Sequence, residues 1–162
     1  MGPLPIGLFT VSDLVFRSLP YTDPVVQRLL EEIYLDQTER YGGPDAAAVD
    51  PAEFAPPRGD FLTAWQYGEP VGCAGWRSDG DNDAELKRMY TVPAVRGRGV
   101  AIALLAAVED SARAAGRIRL ILNTGPKQPE AIALYEKCGY DPIEPYGHYK
   151  DYAEAVFLGR VL

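Results

Sequence analysis

The sequence predicts one α/β domain, α+β in organisation: a central, mixed and mostly antiparallel twisted sheet of about seven strands with helices packed on it. Three observations predict it. Three β-prone runs follow one another between Phe61 and Val92 with only short turns between them. Two segments of helical pattern, each closed by a glycine, then separate the later strands. The 162-residue length suits a single hydrophobic core.

In chain order, alternating Leu14, Phe16 and Ser18 mark a first strand. Asp23 before Pro24 supplies an N-cap and a proline at the first helical position, where the N–H it lacks would have had no intrahelical partner. A helix then runs to about Tyr41, because Val26, Leu29, Leu30, Ile33 and Tyr34 recur at three- and four-residue steps and Gly42-Gly43-Pro44 stops it. Gly42 to Gly59 carries four prolines and no clear period, which predicts a long loop with room for a short helical turn. Such loops are often lids, and a passive surface excursion is the equal alternative.

Phe61 to Tyr67 and Val71 to Arg77 read as a hairpin turning at Gly68-Glu69-Pro70. A second turn at residues 78–83 leads into a third antiparallel strand, Ala84 to Val92. From Gly99 the alanines and leucines favour a helix that Gly116 stops. Ile118 to Leu122 is a strand, Pro129 to Cys138 a helix closed by Gly139, and Ala155 to Leu162 a last strand. The order is β-α-β-β-β-α-β-α-β-β, a single domain over residues 1–162 without internal repeats.

Composition excludes several classes. The formal charge of −7 and pI near 4.7 disfavour a nucleic-acid partner, which needs a basic face, and would draw a cationic amine instead. No apolar run approaches the roughly 18 residues that cross a bilayer, and no basic segment followed by an apolar one opens the chain, so a cytoplasmic protein without membrane contact is expected. Cys73 and Cys138 match no metal-ligand spacing and read as reduced core residues; no metal is expected.

The chemically informative segment is Met89-Tyr90-Thr91-Val92-Pro93-Ala94-Val95-Arg96-Gly97-Arg98-Gly99-Val100-Ala101, a strand passing through a glycine-rich turn into a helix. Unpaired N–H groups at a helix N-terminus, on the positive end of its dipole, bind pyrophosphate. Gly97 and Gly99 allow close approach of the backbone, and Arg96 and Arg98 add permanent charge. A dinucleotide-binding turn fails, because position 102 is Ile rather than a third glycine. A basic loop without a ligand remains the alternative.

This segment resembles motif A of the GNAT N-acyltransferases, with Arg96, Gly99 and Ala101 on the motif's positions and Pro93 where many members have proline. Leu122-Asn123-Thr124-Gly125-Pro126-Lys127-Gln128-Pro129-Glu130-Ala131-Ile132-Ala133-Leu134-Tyr135-Glu136-Lys137-Cys138-Gly139-Tyr140 resembles motif B, especially a bacterial branch of the superfamily. The likeness is specific from about Ala84 to Tyr140. It implies a GNAT-like fold with about four flanking helices, splayed between strands 4 and 5, and acetyl-CoA as co-substrate. It further implies cofactor contacts at Met89, Tyr90, Thr91, Arg96, Gly97, Arg98, Gly99, Val100, Ala101 and Gln128. Gln128 stands where many relatives have Asn.

The resemblance also assigns Tyr135 as general acid for the leaving thiolate and Glu85 as general base, directly or through water. Strand alternation places Glu85, Lys87 and Met89 on one face; a solvent-facing Glu85 and a core Tyr135 are the structural alternatives. His148 reads as a solvated turn residue, while Tyr149 and Asp151 are candidates for an acceptor pocket. The reaction implied is acetylation of a primary amine, on a small molecule or a peptide, by direct attack in a ternary complex. A non-catalytic acyl-CoA-binding or regulatory domain is the alternative. Many relatives pair through their C-terminal strands, so a homodimer is carried as an expectation.

Overall fold

The computed structural model of the protein describes residues 11–45 and 47–162, so the first ten residues of the expected domain lie outside the described residues. The helix α1 (Pro24–Tyr41) begins where expected: the Asp23 carboxylate accepts from the Val25 N–H at 2.8 Å, a cap worth about 1 kcal/mol. Gly42 ends it in the left-handed region at φ 81°, a conformation with a steric penalty for any side chain. Past that point the prolines leave only a 3-10 turn at Pro51–Phe54, closed by a capping box between Asp50 and Glu53. Among the described residues there are accordingly three α-helices rather than about four.

The strands β1 (Leu14–Ser18), β2 (Gly59–Gln66), β3 (Glu69–Asp79), β4 (Asp83–Thr91), β5 (Arg119–Thr124), β6 (Asp141–Pro142) and β7 (Val156–Val161) form one seven-stranded sheet in the order β1-β2-β3-β4-β5-β7-β6. Every pairing is antiparallel except β4 with β5. The β2–β3 hairpin turns one step earlier than expected, on Tyr67 and Gly68, at φ 49° and 80°. Two successive positive φ angles match the twist of paired strands. Glu69 and Pro70 therefore belong to β3, where a register shift between Ala64 and Trp65 absorbs the proline.

Helix α1 covers one face of the sheet, burying Val26, Leu29, Leu30 and Ile33 against Phe54, Phe61 and Cys73. On the other face α2 (Val100–Ala114) buries Leu104, Leu105 and Val108 against Leu62, Ala64, Trp76 and Leu120. Each such aliphatic side chain contributes about 1.5–3 kcal/mol. The third helix, α3 (Pro129–Lys137), presents Tyr135 to the same cluster, beside Tyr140.

Two irregularities at the middle of the sheet position the site. The parallel β4–β5 pairing covers only Asp83, Ala84 and Glu85 against Arg119, Leu120 and Ile121, after which the strands diverge. Within β4, Arg88 has φ 59°, and the register with β3 slips between Cys73 and Gly75. Lys87 pairs with Gly75, and the next residue on that face is Tyr90, opposite Cys73. The expected alternation of Glu85, Lys87 and Met89 is therefore broken after Lys87: the bulge turns Met89 toward the α2 side, where it packs on that core cluster.

Candidate active site

The splay opens a cleft between the Gly-rich turn and α3. A cavity of about 540 Å³ is lined by Met89, Tyr90, Thr91, Arg96, Gly97 and Gly99 through Ile102 on one side and by Gln128, Ala131, Leu134 and Tyr135 on the other. Of the ten residues expected to contact the cofactor, Arg98 alone is absent from this lining. Gly97 and Gly99 take φ angles of 78° and 84°. Among the described residues no side chain caps the N-terminus of α2, whose first-turn N–H groups have no intrahelical partner and can serve a ligand. The Arg96 guanidinium is set beside them: Nε donates to the Thr91 carbonyl at 3.0 Å, and the group lies 5.4 Å above the Tyr90 ring. A positive helix end, two left-handed glycines and a fixed guanidinium fit a pyrophosphate.

Tyr135 stands at the inner end of this cleft, 7% exposed. Its hydroxyl donates to Met89 Sδ at 3.7 Å, a weak acceptor that a reacting group can replace. Burial pushes the phenol well above its usual range, so it is protonated throughout the neutral region.

Next to this cleft, sharing Met89, Gln128 and Tyr135 with it, is a polar chamber of about 130 Å³ lined also by Lys87, Arg88, Asp45, Asn123 and Thr124, and a mouth of about 190 Å³ between Tyr41, Pro44, Gly125 and Tyr149 shares Asp45, Asn123 and Thr124 with the chamber. Gln128 lines all three spaces and is held by the hydroxyls of Tyr41 and Thr124, at 3.2 and 3.3 Å.

The loop after α1 closes the chamber through Asp45. Its Oδ2 accepts from Arg88 Nη1 at 2.8 Å and from Lys87 Nζ at 3.4 Å, while Oδ1 accepts from the Ala47 N–H and from the Tyr149 hydroxyl. Burial alone would raise this carboxyl, but Lys87, the Tyr149 hydroxyl, the Ala47 N–H and Arg88 together hold it well below the usual carboxylate range. It is a structural anion and a poor base.

Glu85 occupies a different place from the one expected of a base. It is 6% exposed, its Oε1 is bonded by Arg77 Nε at 2.8 Å across the β3–β4 pair, and it lines none of the three spaces. Tyr149 does line the mouth, whereas His148 and Asp151 are exposed outside it, His148 edge-on to the Tyr149 ring at 4.7 Å. Cys73 and Cys138 are both pushed toward the thiol form, chiefly by burial. Among the described residues no cluster of His, Cys, Asp and Glu could hold a metal ion, and no helix is long and apolar enough to cross a membrane.

Sequence reasoning missed Asp45, Arg88 and the binding potential of Lys87. One signal was available: adjacent Lys87 and Arg88 in a strand with apolar neighbours need a buried partner, since such residues are rarely buried unpaired.

Comparison with known proteins agrees with this architecture. Residues 26–140 match the model of the Acetyltransferase (GNAT) family. The chain is 36% identical over 149 residues to the IAA acetyltransferase of Azospirillum brasilense, covering 91% of this chain and 97% of that one. The crystal structure of a Klebsiella pneumoniae protein provisionally described as an acyl-CoA N-acyltransferase superposes with a TM-score of 0.79 at 29% identity, over 92% of this chain and 97% of that one. A GNAT family acetyltransferase from Elizabethkingia anophelis, crystallised with acetyl-CoA bound, shares the fold at a TM-score of 0.68 and 18% identity, over 93% of this chain and 99% of that one.

Proposed function

We propose, because the chain belongs to the acetyltransferase (GNAT) family and so is an enzyme with acetyl-CoA as its co-substrate, that it acetylates a primary amine by direct attack in a ternary complex. The observation that carries this reading is that the cleft at the N-terminus of α2 and the chamber at Lys87 adjoin, with Met89 and Tyr135 lining both. A thioester arm entering from the glycine turn and an amine entering from the Tyr149 mouth meet beside Met89.

The first-turn N–H groups of α2, with Arg96, hold the pyrophosphate. The edge of β4 beyond Glu85 has no partner strand, so the backbone from Met89 to Thr91 is available to bond the pantetheine amides and the thioester oxygen. The amine nitrogen attacks the thioester carbon; a C–N bond forms, the C–S bond breaks, and the products are an N-acetyl amide and the CoA thiol. Tyr135 donates its hydrogen bond to the sulfur as negative charge develops there, and its retention at the junction favours turnover over mere acyl-CoA binding.

Deprotonation of the attacking ammonium is assigned to solvent in the chamber. Asp45 is too weak a base, and Glu85 is committed to Arg77. Turnover should therefore rise with pH toward the acceptor's own pKa. The test is a screen of small amines for release of free thiol from acetyl-CoA. Robust acetyl-CoA binding with no thiol release above background from any acceptor would refute the reading.

A further inference from the structure

Lys87 is an incompletely satisfied charge near the proposed meeting point, beside Arg88, whose buried Nε has no hydrogen-bond partner. Lys87 is 7% exposed and lines the chamber. Its ammonium has three donors but makes one hydrogen bond, at 3.4 Å, to an Asp45 oxygen that Arg88 already holds at 2.8 Å. Among the described residues Asp45 is the one carboxylate shared by two buried cations. The other acidic side chain lining the chamber, Asp36, pairs with Arg40 at 3.2 Å, and Glu85 with Glu53 surrounds Arg77 at 2.8 and 3.3 Å. A buried ammonium with spare donors, facing a polar space, is costly without an anion or water to complete it.

We infer that the acceptor is a small amino acid whose carboxylate binds Lys87, with its amine pointing toward Met89 and Tyr135. This deepens the acetyl-transfer reading and rests on it. Three features fix the class. The Lys87–Arg88 pair already holds one carboxylate, that of Asp45, so a second meets a donor set suited to it. Spaces of about 130 and 190 Å³ admit a molecule of amino-acid size and exclude the body of a folded protein. Lys87, Met89 and Tyr135 all line the chamber, so a small molecule whose carboxylate is held at Lys87 lies in the same space as Met89 and Tyr135. The overall charge of −7 would suggest a purely cationic acceptor; the chamber selects otherwise, because local buried charge outweighs screened surface charge.

The experiment compares free amino acids with their α-amides as acceptors, by thiol release from acetyl-CoA. The acids should exceed their amides by about 10- to 100-fold in kcat/KM, the worth of one charge-assisted hydrogen bond. Lys87→Gln should raise KM for the acids more than for the amides and so remove most of the acid-over-amide preference, and Lys87→Arg should restore that preference in part. Without turnover, N-acetyl amino acids should raise the melting temperature of the wild type more than their amides do. Equal use of acids and amides by the wild type overturns the carboxylate assignment while the acetyltransferase reading stands. Failure of both to release thiol, with acetyl-CoA still binding, overturns this inference, and the acetyltransferase reading falls with it only where no other amine of the screen releases thiol either.

Discussion

Replacing Tyr135 by Phe separates the phenol's chemistry from its packing. The ring stays, with its tilted contact to Tyr140 at 5.8 Å, and the only hydrogen bond lost is the 3.7 Å contact to Met89 Sδ. Losing a hydroxyl with so weak a partner should cost below about 1 kcal/mol, a shift of no more than about 2–4 °C in melting temperature for a chain of this size. The rate should behave differently. A proton donor to the leaving group is worth roughly 10²–10⁴-fold, or about 2.7–5.4 kcal/mol of activation free energy. Initial rates of thiol release at saturating acetyl-CoA, calorimetric titration with acetyl-CoA and a thermal melt measure the three quantities together. A variant within about three-fold of the wild-type kcat refutes the donor role. A rate loss matched by an equal loss of acetyl-CoA affinity assigns Tyr135 to packing of the cleft.

Four further outcomes are expected. Gly99→Val forces a β-branched residue to φ 84° with its Cβ about 3.1 Å from Val11 Cγ2, which displaces the turn that presents the α2 N-terminus, so acetyl-CoA affinity by calorimetry should fall at least about ten-fold with the fold retained by circular dichroism. The double variant Cys73→Ala and Cys138→Ala should keep its turnover, and mass spectrometry during turnover should show no acetyl adduct on the wild type, because neither thiol is activated. Burial raises Tyr135, Tyr140 and Tyr146, so the stability tied to their protonation is complete below the unfolded value near 10 and declines as pH rises above it; urea midpoints should fall from pH 9 to 11, less steeply in Tyr135→Phe. Asp45 has the opposite sign: its contribution is complete above the unfolded value near 3.9 and is lost as pH falls below it, and Asp45→Asn should cost about 3–5 kcal/mol at pH 7 by leaving Lys87 and Arg88 uncompensated, as read by urea denaturation.

Signals local in the chain were legible. Asp23-Pro24 and Gly42 bound α1, and the glycine turn into α2 read directly as an anion site. What could not be read were arrangements created by pairing. The bulge at Arg88 arises from the register of β4 on β3, and its effect is to exchange Met89 for Tyr90 on one face. Glu85 read as a carboxylate near the cleft, yet its position directly opposite Arg77 decides its partner. Asp45 carried no pattern at all: one of three acids in a proline-rich loop, it gains meaning only when β4 and the segment before β7 arrive beside it.

That meeting at Asp45 has a consequence for how the molecule assembles. The carboxylate joins segments 43 and 104 residues away, Arg88 and Tyr149, through loops that contribute little apolar burial of their own. Closing such long loops costs entropy that only a formed sheet can offset, so the knot at Asp45 should tie after β4 and β7 are in place. The same knot should be the first to loosen under native conditions. Hydrogen exchange at Ala47 and around Tyr149 is then expected to run ahead of exchange in β3 and α2, making the acceptor's doorway the last region built and the first to breathe.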